Sequence, residues 1–311
     1  MVQQKILVAG DSMIDRYWEG SVDRISPEAP VPVLRLGQEW HRAGGAANVA
    51  VNLAAMGSPT ALATLLGHDE AGARLAALLQ AAGVQLYATR AAGVTTTEKI
   101  RAVCNRQQLL RIDIENPPPA PAVHDFCQQV QQLLPQHPWV MFSDYRKGAL
   151  SHCGAMIAQA HQRGCKVLID PKGQDFEQYR GAWLLKPNEK EAAAIVGSWS
   201  GEQEFSRTMA AFRARLELQH LLVTRGERGM SLFSADRAPL HVPTAAREVF
   251  DVSGAGDTVL AALTSFLAAG ETLEDAVQHA NLAAGVAVAK FGTAVVTRDD
   301  IQQAQTGRGG R

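Results

Sequence analysis

The chain has 311 residues, 46% of them hydrophobic, and a formal net charge of -1 at pH 7. That balance supplies a sizeable core and excludes the basic field that nucleic acid or an anionic membrane surface would demand, so the expected ligand is a small molecule. No apolar run approaches the roughly 20 residues of a membrane span, and Cys104, Cys127, Cys153 and Cys165 lack metal-site or redox spacing. With an N-terminus that runs straight into a strand pattern, these features predict a reduced, cytoplasmic protein.

Short apolar runs alternate with Ala- and Leu-rich helical runs, which predicts an α/β fold with a mostly parallel central sheet and helices on both faces. In chain order the strands are expected at 6–9, 61–65, 84–87, 139–143, 166–169, 183–185 and 221–224, with 230–234 pairing antiparallel near an edge. Helices are expected at 46–56, 71–82, 123–134, 154–163, 189–196, 205–216, 255–269 and 273–290. Two stretches break the rhythm: 21–38, with its R-I-S-P-E-A-P-V-P-V run, and 95–115. Pro27, Pro30 and Pro32 cannot donate to a central ladder, so these segments read as a small β lid inserted at about 16–40 and 95–115. No Ser/Gly/Pro-rich linker divides the chain, so residues 1–311 are expected to form one domain.

Open parallel sheets bind ligands beyond the carboxyl ends of their strands, and those ends are polar here. Asp11 and Asp15 follow the first strand, and Asp144, Arg146 and Lys147 follow the fourth. Asp170 and Lys172 follow the fifth, Asn188 and Glu191 the sixth, and Thr224, Arg225 and Gly226 the seventh. Each alone also reads as a cap or turn residue; jointly they outline one crevice. In A-G-G-A-A-N-V-A-V-N, Gly44 and Gly45 permit close backbone approach at a helix start, and Asn48 offers donor and acceptor to sugar hydroxyls. Lys99 and Arg101, two apart on an extended segment, share one face of the lid and suit a phosphorylated substrate, or simply a solvated face.

The segment D-V-S-G-A-G-D-T, residues 251–258, joins an apolar run to a long small-residue helix. A helix start led by Gly254 and Gly256 leaves backbone N–H groups aimed outward at the positive end of the helix dipole, which is an anion cradle. Asp257 sets a carboxylate beside it, the pairing that phosphoryl transfer to a hydroxyl needs; a glycine turn capped by an Asp is the plainer alternative. The sixth position of a G-x-G-x-x-G reading would be Val259, and G-x-x-x-x-G-K-[ST], G-x-S-x-G, H-E-x-x-H and H-x-G-H are absent.

G-G-A-A-N-V-A, D-P-K-G, K-P-N-x-x-E, V-T-R-G and D-V-S-G-A-G-D-T, in that order over nearly the whole chain, resemble the ribokinase or PfkB family of carbohydrate kinases. Within it, G-D-S-M-I-D-R-Y-W, R-I-S-P-E-A-P-V-P-V and S-D-Y-R-K-G-A-L are similar to the heptose-7-phosphate kinase branch, often fused to an adenylyltransferase domain that carries H-x-G-H. The resemblance implies a ribokinase-like fold and ATP-dependent phosphorylation of the anomeric hydroxyl of D-glycero-D-manno-heptose 7-phosphate. Asp257 would be the base, and the amides of Gly254, Ala255 and Gly256 would stabilise the transferring phosphoryl group. Mg²⁺ would bridge the ATP phosphates, with Asn188 and Glu191 orienting its waters. Thr224, Gly226 and Gly229 match nucleotide-binding positions, and Asn281 one near the adenine. Asp11, Asp15, Gly44, Gly45, Asn48, Lys99, Arg101, Asp144, Lys147, Asp170 and Lys172 fall to the sugar phosphate, and Asp251 and Ser253 to a K⁺ ion. A homodimer through the lid is expected. A kinase for another sugar or a nucleoside, and a non-catalytic sugar-binding regulator, remain the alternatives.

Overall fold

The computed structural model describes residues 4–105, 107–246, 248–290 and 292–307. Strand β1 (Ile6–Gly10) leads directly into β2 (Ser12–Ile25) and β3 (Pro32–Gly45), followed by α1 (Ala46–Ala55), β4 (Thr60–Leu65), α2 (Glu70–Ala81) and β5 (Gln85–Thr89). The pair β6 (Thr97–Cys104) and β7 (Gln107–Ile114) precedes α3 (Ala120–Leu133), β8 (Trp139–Ser143), α4 (Cys153–Gln162), β9 (Lys166–Asp170) and β10 (Leu184–Leu185). Then come α5 (Glu189–Val196), α6 (Glu202–Arg215), β11 (His220–Thr224), β12 (Met230–Ser234), β13 (Leu240–Val242), α7 (Ala255–Ala268), α8 (Leu273–Val288) and α9 (Arg298–Gln305).

The main sheet runs β13-β12-β11-β10-β9-β8-β1-β4-β5. It is parallel from β5 to β11, and β12 and β13 add antiparallel at one edge. Its strands are apolar runs because helices bury both faces. Along β1, Ile6 and Val8 enter a core shared with α1, α2, α7, α8 and α9, while Leu7 and Ala9 enter one shared with α3, α4 and α6. Strand β1 lies between β4 and β8, so successive connections leave it in opposite directions. That switch point opens a crevice beyond the strand ends, the usual ligand position in such sheets.

A second sheet, β3-β2-β6-β7, is built from the segments expected to form the lid. Its strands occupy 12–45 and 97–114, wider than the expected 16–40 and 95–115 on the first segment. The extra residues, Ser12 to Asp15, are all buried where the two sheets meet, so the expected start at 16 fell inside β2. Pro32 stands where β3, an edge strand, begins. Two elements escaped the sequence reading. Strand β13 is three residues long, and in α9 only Ile301 is buried, so neither carries a clear hydrophobic period. Helix α9 nevertheless has a Thr297/Asp300 capping box, a readable start signal. Among the described residues no helix is long and apolar enough to cross a membrane.

Candidate active site

Helix α7 is buried from Asp257 to Ala268. A helix apolar all round is interior, so its N-terminus opens inside the molecule. Gly254 caps it at φ 75°, a left-handed conformation natural to glycine, and a Cβ there would lie 2.9 Å from Asn48 Nδ2. Among the described residues no side chain caps this end, which leaves the positive end of the dipole to an anion. Of the three amides expected in the cradle, that of Ala255 already donates to Val252 O at 3.2 Å.

The Asp257 side chain is 2% exposed. Its Oδ2 accepts from Asn48 Nδ2 at 2.8 Å, and its Oδ1 accepts from the Tyr145 hydroxyl at 2.8 Å. Burial, and after it the negative charge of Asp170, push its pKa up to about 7, against the pull of both hydrogen bonds and of Lys186. A base poised there is effective near neutral pH. Asn48 is itself held: Asn52 Nδ2 donates to its backbone O at 3.0 Å and its Oδ1 at 3.1 Å, and Asn52 Oδ1 accepts from Val296 N at 3.1 Å. With its oxygen engaged by Asn52, the amide of Asn48 can present only N–H to the carboxylate.

Asp170, at the end of β9, pairs with Lys186 Nζ at 3.0 Å. Lys186 is 3% exposed, and a Cβ on Gly256 would come within 3.1 Å of its ammonium, so the glycine makes room for that cation beneath the helix start. Neither Lys186 nor Tyr145 was singled out from the sequence. Lys186 is the first letter of K-P-N-x-x-E and Tyr145 the third of S-D-Y-R-K-G-A-L, so both stand inside motifs already noted, but an aromatic after a strand reads as core.

Asn188 and Glu191 form a reciprocal capping box at the start of α5, both bonds at 2.9 Å. Glu191 Oε1 also takes Lys172 Nζ at 2.7 Å. Lys172, expected at the sugar phosphate with Lys99 and Arg101, pairs with Glu191 at the start of α5 and also feels the charges of Asp170 and Asp257. Thr224 bridges Asn188, Gly229 backs onto Val242 and Thr244, and Asn281 Nδ2 donates to Pro243 O at 2.7 Å. Thr224, Gly226, Gly229 and Asn281 are thus gathered around the turn before β12 and the chain leaving β13. Arg225 turns away to clasp Glu202 at 2.6 and 2.8 Å. Asp251 accepts from Ser253 N and Gly292 N, both at 2.9 Å, and these amide bonds hold its pKa low despite its partial burial; the Ser253 side chain is exposed.

At the β1/β8 switch point, the carboxylate of Asp11 accepts three amides: Tyr145 N at 3.0 Å, Lys147 N at 2.9 Å and Ala149 N at 3.0 Å. Asp144 accepts Arg146 N at 2.7 Å and the Tyr179 hydroxyl at 2.6 Å. Both carboxylates, expected at the sugar, thus shape the loop 144–149, where Arg146 is left-handed at φ 56°.

On the lid, Asp15, Tyr17, Lys99 and Arg101 share a face, with Asp15 opposite Lys99 and Tyr17 opposite Arg101. Arg101 pairs with Asp15 at 2.5 Å and lies over Tyr17, which stacks on Trp40 at 3.7 Å. Arg42, over Trp40, donates to Thr293 O at 3.0 Å and ties the lid to the loop before α9. Gly44 lets Asp15 approach, since a Cβ there would be 2.7 Å from its Oδ2, and Gly45 caps α1 at φ 59°. Lys147 pairs with Glu115 at 2.5 Å and Arg111 with Asp113 at 2.8 Å. Lys99 forms no salt bridge among the described residues; burial first, then Lys147 and Arg111 against the pull of Asp113, depress its pKa.

Residues 3–299 match the family described as pfkB family carbohydrate kinase. The chain is 48% identical over 312 residues to a protein of Alcanivorax borkumensis named "Bifunctional protein HldE", a match covering 99% of this chain and 65% of that relative's length. Among solved structures it is similar to ribokinase of Arabidopsis thaliana complexed with ribose and ATP, at 21% identity and a TM-score of 0.78 over 98% of this chain and 99% of that one. It is also similar to phosphofructokinase-2 of Escherichia coli in complex with potassium, at 19% identity and a TM-score of 0.82 over 99% of each chain. At such identities the two structures speak for the fold alone.

Proposed function

Because the chain belongs to the pfkB family of carbohydrate kinases, we propose that it transfers the γ-phosphoryl group of ATP to the anomeric hydroxyl of D-glycero-D-manno-heptose 7-phosphate. The product would be the 1,7-bisphosphate, a precursor of ADP-heptose and of the lipopolysaccharide core. One observation carries the choice of a phosphorylated sugar: Lys99, partly buried and without a salt bridge among the described residues, stands on a lid face where Arg101 and Arg111 are each matched by a carboxylate. An unmatched, partly desolvated cation is a ready partner for a phosphate. The heptose itself rests on the motif resemblance and on the likeness to the bifunctional relative, of which this chain spans 65%. The unit is read as one kinase domain acting in the cytoplasm.

Asp257 takes the proton of the attacking hydroxyl, with Asn48 fixing its orientation. Gly256, the open start of α7 and Lys186 supply positive potential where charge gathers on the transferring group, the larger catalytic contribution in phosphoryl transfer. The nucleotide lies along Thr224, Gly226, Gly229 and Asn281. Among the described residues no cluster of three or more His, Cys, Asp or Glu side chains could cage a metal. Mg²⁺ keeps its waters and binds chiefly through substrate phosphates; Glu191 and Asn188 would orient those waters, and the ion would neutralise phosphate charge. Asp251 and Ser253 would neighbour a K⁺ ion.

The lid closes over the sugar and excludes water as a competing acceptor. Its outer side bears Leu36, Leu110, Ile112 and Ile114, each at least 40% exposed, and β7 is an unpaired edge. A second copy covering that surface makes a homodimer. ADP release against a panel of heptose 7-phosphate, heptose, ribose, fructose 6-phosphate and nucleosides tests the reading: preference for any sugar other than the heptose phosphate overturns it.

A further inference from the structure

We infer that Tyr145 is a positioning residue for the general base: its hydroxyl fixes the Asp257 carboxylate through the oxygen that Asn48 leaves free and holds it in the ionised form that accepts the sugar proton. The inference rests on the reading of Asp257 as that base. The hydroxyl donates to Asp257 Oδ1 at 2.8 Å while Asn48 holds Oδ2 at 2.8 Å, so two donors from separate elements pin one carboxylate.

The loop that carries Tyr145 is built to aim it. Asp11, at the end of β1, takes the amides of residues 145, 147 and 149, and Asp144 takes that of residue 146. Tyr179 in turn holds Asp144 at 2.6 Å. Between these anchors Arg146 adopts φ 56°, an uncommon conformation for a residue with a side chain. A tyrosine serving only as core filler would not need two buried carboxylates to fix its backbone. Burial, and then the charge of Asp257, raise the phenol pKa far above its ordinary value, so the group stays protonated and acts only as a donor.

Other charges also face Asp257. Asp170, from the end of β9, disfavours its ionised form, and Lys186, following β10, favours it. Lys172 senses Asp257, and Asp15, from the lid, senses the tyrosine. Removing the hydroxyl leaves all of these in place and withdraws a bond that only the ionised carboxylate receives in full. The base then ionises at higher pH, and the acid limb of the rate profile moves up.

The test is kcat and kcat/KM from about pH 5 to 9 for the wild-type kinase, Tyr145→Phe and Asp257→Asn. Tyr145→Phe should shift the acid limb up by about 1 pH unit, a roughly tenfold loss below the limb that recovers to within about twofold above it. KM for ATP should not move. Site-specific 3-fluorotyrosine at position 145, a stronger donor of the same shape, should shift the limb down and gives the answer if the Phe variant does not melt cooperatively. A limb unmoved by both replacements, or a loss equal at every pH, overturns the role of Tyr145 if Asp257→Asn is inactive. Near-normal turnover in Asp257→Asn removes the base itself, and the tyrosine's role with it.

Discussion

The two ends of the candidate site are built differently. Around Asp257 every polar partner is anchored by another: Asn48 by Asn52, Asn52 by the Val296 amide, Tyr145 by the loop on Asp11. These groups come from segments far apart in the chain and are largely shielded from water. On the lid the charges are matched mostly with each other, Arg101 with Asp15 and Arg111 with Asp113, and β7 is exposed along its length. A preorganised reaction centre stabilises a transition state without reorganising, while an element whose outer strand is exposed along its length has less holding it in one place. On the proposed reading, the tightly anchored groups lie where bonds change and the more exposed sheet lies where substrate enters.

The contrast breaks most visibly at the base. Asp257→Asn keeps shape and hydrogen-bonding size but cannot accept a proton, so kcat should fall by roughly 10² or more while ATP affinity measured by titration calorimetry holds; turnover near normal would end the assignment. At the lid, Lys99→Met should raise KM for the phosphorylated sugar about 10- to 100-fold and leave a non-phosphorylated sugar unaffected, because only the charge-assisted bond is lost. Equal losses on both sugars would mean that Lys99 supports the lid and not the phosphate.

Asn52 probes rigidity one step behind the base. Asn52→Leu strands the Val296 N–H and frees Asn48 to rotate, so kcat should drop by about tenfold and stability by about 1–3 kcal/mol in urea titration; a stable, fully active variant would show that Asn48 needs no holding. Ionising Asp257 also carries a folding cost. Its folded pKa, pushed up to about 7 by burial, lies above the ordinary 3.8, so its favourable contribution is complete below the lower value and is lost as pH rises through the higher one. Relative to Asp257→Asn, the wild-type protein should therefore lose a few kcal/mol or less between about pH 4 and 8; parallel stability–pH curves would contradict a raised pKa. The smallest expected effect is on chemistry from Leu110→Glu on the outer lid. It should convert a dimer to a monomer in sedimentation velocity with kcat changed less than about twofold, and a monomeric wild-type protein would remove the dimer.

Much of this was legible in the chain. The seven parallel strands, the antiparallel strand 230–234 and the helices 46–55, 189–196 and 255–268 follow from apolar runs bounded by glycine and polar residues, because a doubly covered sheet leaves no polar alternation to confuse them. The lid's first boundary was misplaced: residues 12–15 are buried where the two sheets meet. The glycine-led start of α7 with Asp257 in its first turn was legible, and Asn48 proves to bond Asp257. Their neighbours were not. Asp11 and Asp144 look like ligand contacts in the sequence and turn out to bind backbone amides, since a strand-end carboxylate serves either purpose and only the path of the next loop decides.

By itself the sequence determined the α/β architecture, the glycine-led start of α7 and the family, each a matter of local pattern or of motif order. Tertiary structure alone decided which donors meet the Asp257 carboxylate and where the lysines point. Tyr145 stands 112 residues before Asp257, and Asn48 stands 209 before it. Contacts across such separations are set by how helices pack on the sheet, and nothing in the periodicity of either segment encodes them. Lys172 makes the same point from the other side: the path of the chain after β9 sets it beside Glu191, with Asp170 and Asp257 within electrostatic reach, a pairing its sequence context does not encode.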